Sequence, residues 1–180
     1  PWAMQLDGPL NMQAFQAAID DLVSRHEMLR TLFSVTMGKP QQCVLDKVSV
    51  SVESVDATGD DEAAIEARLR TLSRIPFGLG QTPLMRVHVL HVGNRKNIVL
   101  LVLHHIVSDG WSLSVLYQEL VRLYAGHCLG ETVKLPALPV QYADYSVWQH
   151  DWFRSSEQKR QLDYWPQRLG AAPAILDLPT

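Results

Sequence analysis

Apolar residues near the start of the chain switch from one period to another. Met4 to Leu6 form a short strand pattern, and Phe15, Ile19, Leu22 and Val23 then recur at helical spacing, predicting a helix through about Ser24. Leu29 to Val35 and Gln42 to Leu45 read as strands joined by a turn at Gly38-Lys39-Pro40, and Val48 to Val55 alternates as a further strand. Asp60, Asp61 and Glu62 precede the periodic residues Ile65, Leu69 and Leu72, while Arg68, Arg70 and Arg74 come late. That order of charges complements a helix dipole, so a helix is predicted here, stopped by Pro76.

Met85, Val87 and Val89 alternate with Arg86 and His88, and Gly93-Asn94 turns the chain into a second strand, Asn97 to His105. The pair predicts a central antiparallel hairpin. Leu113, Leu116, Tyr117, Leu120, Leu123 and Tyr124 make a helical stripe after Ser112, a candidate N-cap. Two aromatic-rich helices are predicted near Gln141 to Phe153 and Ser156 to Leu169, with Pro166 expected to kink or break the second. Tyr142, Tyr145, Trp148 and Trp152 read as packing residues rather than substrate contacts. The order of elements predicts a mixed α/β layered domain.

Composition narrows the function classes. Of 180 residues, 47% are hydrophobic and 19% charged, the profile of one folded domain or lobe. The net charge of -3, with Lys and Arg scattered, leaves no basic stripe for a phosphate backbone, so nucleic acid is not an expected partner. The longest apolar run, Ile98 to Leu103, is far short of the roughly 20 residues that cross a bilayer, and a cytoplasmic protein without membrane contact is expected. Cys43 and Cys128 lack paired spacing, so neither a disulfide framework nor a four-cysteine zinc site is expected. The opening PWAMQLDG and the closing PAILDLPT read as cut ends of a larger parent chain.

Chemistry concentrates in Leu101 to Ser112, LVLHHIVSDGWS, where an apolar strand meets two histidines, a polar turn and a helix. Side chains alternate across a strand, so His104 and His105 should face opposite ways and only one can face a given cavity. An imidazole, with an ordinary pKa of about 6.5, can take or give a proton in attack by an amine or alcohol on an acyl group. Asp109, four positions beyond His105, could hold the histidine's tautomer or pair with an arginine. Gly110 permits a positive φ or close substrate approach, and the amides opening the next helix could favour an oxyanion. A histidine pair before a Ser-Asp-Gly turn also occurs in domains without a catalytic task. His88, His91, His104, His105 and Asp109 could be imagined as metal ligands, but strand alternation sends neighbours apart, and no metal is expected.

His104 to Gly110 resembles the HHxxxDG motif of the chloramphenicol acetyltransferase-like superfamily, which includes the condensation domains of nonribosomal peptide synthetases. RHEMLRTLF, Arg25 to Phe33, is similar to the condensation-domain RHExLRTxF motif, and QYADYSVW, Gln141 to Trp148, resembles YxDYxxW. The likeness extends through Ile75 to Val87 and the closing LDLPT, although the family's usual PFDL reads Pro76-Phe77-Gly78-Leu79 here.

The resemblance implies a layered α/β lobe with a largely antiparallel mixed sheet and flanking helices, residues 1–180 forming the N-terminal lobe of a condensation domain without its C-terminal lobe. It implies amide-bond formation between aminoacyl or peptidyl thioesters carried on the phosphopantetheine of donor and acceptor carrier proteins, with an adenylation domain in the same assembly line and no cofactor bound directly. His105 becomes the active-site residue, His104 its support, Gly110 the residue keeping the channel open, and Asp109 a structural partner of Arg30, with Arg25 in reserve. The fragment alone should be inactive and prone to association. Three alternatives stay open: an epimerization domain, against which Trp111-Ser112 argues; a stand-alone acyltransferase using a coenzyme A thioester; and a non-catalytic module that docks carriers or other enzymes.

Overall fold

The computed structural model describes residues 1–93 and 95–172. Asn94 of the expected Gly93-Asn94 turn and the closing LDLPT lie outside the described residues. The chain divides into two units, Pro1–Gln141 and Tyr142–Thr180.

In the first unit, strand β1 (Trp2–Asp7) leads to helix α1 (Met12–Arg25), whose N-cap Asn11 accepts a hydrogen bond from the Ala14 amide at 3.1 Å. The helix buries Phe15, Ala18, Ile19, Leu22 and Val23, the stripe its spacing foretold. A 3-10 turn, Glu27–Arg30, follows, so Leu29 and Arg30 are helical rather than part of the expected strand. Strands β2 (Thr31–Thr36) and β3 (Lys39–Val44) form a separate hairpin. Its turn is Met37-Gly38, both at positive φ, and Pro40 lies in β3 opposite Val35. Strand β4 (Val52–Asp56) starts later than the alternation suggested, and Val50 ahead of it is buried in the core.

Helix α2 (Glu62–Ser73) is capped by Asp61 and half-buries Ile65, Leu69 and Leu72. Strands β5 (Met85–Gly93) and β6 (Lys96–Leu103) pair antiparallel at the centre of a four-stranded mixed sheet ordered β1-β6-β5-β4, in which only the β4–β5 pairing is parallel. One face of this sheet, with Val87, Val89, Val99 and Leu101, packs on α1 and on Leu116, Leu120 and Leu123 of helix α3 (Gly110–Leu129). The opposite face is buried as well, at His88, Leu90, Leu100 and Val102. The alternation of β5 with Arg86 and His88 therefore does not mark a wet face. Gly130 ends α3 in the left-handed conformation, with φ of 68°.

The second unit holds helices α4 (Tyr142–Trp152) and α5 (Ser156–Leu169). Contrary to the packing expected of the α4 aromatics, Tyr142, Tyr145 and Trp148 are exposed and stack along one face of the helix, with ring centroids 5.6 and 5.5 Å apart. Pro166 does not break α5, which continues to Leu169. No described helix is long and apolar enough to cross a membrane.

Candidate active site

Strand β6 ends at Leu103, and His104 and His105 open the turn into α3. Side-chain alternation persists past the strand's end. His104 turns to one side, where its ring meets Phe77 edge-on at 6.1 Å. The Ile106 amide donates to His104 Nδ1 at 3.0 Å, so a neutral ring carries its proton on Nε2. The His104 amide donates to the Leu84 carbonyl at 3.0 Å, and its own carbonyl accepts from Val107. Behind Phe77 lies Arg86, its guanidinium 3.8 Å from the ring centroid and hydrogen-bonded to the Ile75 and Pro76 carbonyls; burial lowers its pKa. His104 is thus tied into the turn.

His105 points the other way and is solvent-accessible. Leu101, Leu103 and His105, two residues apart in sequence, line a cavity of about 110 Å³ together with Pro1, Trp2 of β1, the turn residues Ser108 and Asp109, and Gly110 and Leu113 of α3. The His105 ring makes no hydrogen bond to any described residue. An unengaged imidazole beside an open, mainly apolar cavity can exchange a proton with a guest without first breaking an internal bond.

Asp109 caps α3. Its Oδ1 accepts from the Ser112 amide at 2.8 Å and from the Ser112 hydroxyl at 2.6 Å, and these two bonds, the hydroxyl's first, hold the carboxyl below the usual carboxylate range. The cap is therefore Asp109, with Ser112 supplying donors instead of acting as the expected cap. Asp109 does not orient His105. It also takes the Ser112 amide, and its carbonyl takes that of Leu113 at 3.1 Å, so these two amides of the helix start do not serve an oxyanion as expected. Gly110 opens α3 without a positive φ, and a Cβ there would meet nothing within 4 Å. Its place beside His105, not its backbone, gives it meaning.

Residues 1–180 match the family model described as Condensation domain. The chain belongs to the condensation domain family. It is 40% identical over its whole length to part of a linear gramicidin synthase of Brevibacillus parabrevis, covering 2% of that protein. It is 39% identical, over 99% of its length, to part of nonribosomal peptide synthetase kk1B of Curvularia clavata, covering 1%. Among solved structures it resembles the X-domain in its complex with OxyB from teicoplanin biosynthesis, with TM-score 0.87 and 26% identity over 98% of this chain and 39% of that one. The chain therefore spans a very small part of these synthetases and less than half of a structurally similar chain. The mixed α/β layering is that of condensation-domain structures.

Within this condensation domain the arginines of the RHExLRTxF segment are not where the resemblance put them. Arg30 does not reach Asp109; it donates to the carbonyls of Leu45 and Asp46, and the Leu45 amide returns a bond to the Arg30 carbonyl, closing the base of the β2–β3 hairpin. Arg25 does not reach it either. Its Nε lies 3.1 Å from both carboxylate oxygens of Glu119, and it donates to the Pro136 carbonyl at 2.6 Å; His26 joins the same carboxylate at 2.6 Å. The helix rise explains this: Glu119 is ten residues beyond Asp109, about 15 Å along α3, and the end of α1 meets α3 there.

The histidines considered as metal ligands are also apart. His88 is buried, with Nδ1 3.0 Å from Glu53 Oε2 but not aligned as a hydrogen bond, whereas His91 bonds Asn97 and Ser54. Among the described residues no group of three His, Cys, Asp or Glu side chains is placed to hold a metal ion. Sequence reasoning overlooked Trp2, Leu113 and Ser108 around His105, and Phe77 and Arg86 behind His104. The strand pattern began at Met4, two residues after Trp2, and nothing in it indicated pairing with β6.

Proposed function

We propose that this chain supplies the histidine-bearing lobe of an acyltransferase that joins two thioester-bound building blocks through an amide bond. What carries the reading is His105, unengaged and facing a cavity, on a motif intact from His104 to Gly110. The amine of the acceptor attacks the donor's thioester carbonyl. A C–N bond forms, the C–S bond breaks, and the proton lost by nitrogen passes through the His105 imidazole to the departing sulfur. His104 and the Asp109 cap hold the turn in place, and Gly110 leaves space beside the ring. The proposal takes donor and acceptor carrier proteins bearing phosphopantetheine as partners, together with a C-terminal lobe and an adenylation domain of the same assembly line.

In the full-length enzyme, His105→Ala should lower amide formation by about 10²- to 10⁴-fold while the protein stays folded. Near-normal turnover would remove the catalytic role. That outcome would favour the second reading, a docking module, to which the likeness to an X-domain in complex with OxyB lends support.

A further inference from the structure

Resting on the amide-forming role of His105, the cavity beside it bears on which acceptors the reaction takes. An amine nitrogen at the imidazole lies only two bonds from the first atom of its own side chain, so the space adjoining His105 must house that side chain. That space is about 110 Å³. A closed cavity of about 150 Å³ accommodates benzene, so a guest seated wholly inside this smaller, half-open one is a short aliphatic group rather than an aromatic ring.

Trp2 is the largest side chain of its wall. It sits directly opposite Leu101 in the β1–β6 ladder, on the face that also presents Leu103. Its indole meets Tyr117 of α3 edge-on, with ring centroids 5.4 Å apart, and is half-buried against the core. Held from two sides, this ring cannot swing away cheaply from a larger guest. We propose that Trp2 is a specificity-determining residue, its indole limiting the acceptor to residues with short aliphatic side chains.

The test compares alanyl and phenylalanyl thioesters of pantetheine as acceptors, with the full-length enzyme carrying its loaded donor. In Trp2→Ala the ratio of kcat/KM for phenylalanyl over alanyl should rise about tenfold, the lower end of what a hydrophobic pocket discriminates. Trp2→Phe, which keeps a ring against Tyr117, should shift the ratio the same way by a smaller step and serves alone if the alanine variant does not fold. A merely structural contribution would depress both acceptors alike and leave the ratio unmoved. A shift below about threefold in every folded variant, with His105→Ala still abolishing transfer, overturns the role of Trp2 and spares the proposed reaction. Transfer retained with both acceptors in His105→Ala overturns the role of His105 on which this inference rests.

Discussion

Two adjacent imidazoles divide into different tasks because consecutive side chains leave an extended backbone on opposite sides. This much was legible in LVLHHIVSDGWS, and it holds although β6 ends before either histidine. Alternation alone could not tell which ring met a cavity; only the resemblance singled out His105. His104 is engaged through Nδ1, so removing that acceptor should be felt as stability. His104→Leu should cost about 1 kcal/mol, the scale of one net hydrogen bond, whereas His104→Asn, whose amide oxygen can take the place of Nδ1, should recover most of it; urea denaturation of the two variants measures the difference. Arg30 teaches the reverse lesson. Its motif position suggested Asp109, yet a guanidinium takes the nearest oriented carbonyls, here those of Leu45 and Asp46.

At the scale of elements, the spacing of Phe15, Ile19, Leu22 and Val23 was enough to place α1, and that of Leu116, Leu120 and Leu123 to place α3. The start of α3 was misplaced by three residues because Ser and Asp are both good caps; the turn left Asp109 at the N-cap and brought Ser112 round as its donor. This cap makes stability depend on pH. A carboxyl whose pKa is lowered on folding stabilises the fold above its ordinary value, about 3.9, and that contribution drains away as the pH falls through the lower folded-state value. Asp109→Asn keeps an acceptor at the cap but loses the charge at the positive end of the helix. The wild type should therefore melt at a higher temperature than Asp109→Asn near pH 7, and the gap should close below about pH 4, as thermal melts over that range would record.

For the whole molecule, the residues of the main core run from Phe15 to Leu123 and belong to the first unit. A chain ending at Gln141 should consequently keep a single cooperative unfolding transition while losing the helical signal of α4 and α5; a broad, non-cooperative melt by circular dichroism would show that the first unit depends on the second. The sequence by itself determined the order and type of most elements, the central hairpin and the paired histidines, because periods of 2 and 3.6 residues and local turn chemistry act over short stretches of chain. Tertiary structure alone decided that Trp2 stands beside Leu101, ninety-nine residues away, that both faces of β5 and β6 are buried, and that Arg25 meets Glu119. A hydrophobic period says that a face must be covered but carries no record of what covers it, and the space around His105 exists only where distant segments have been packed together.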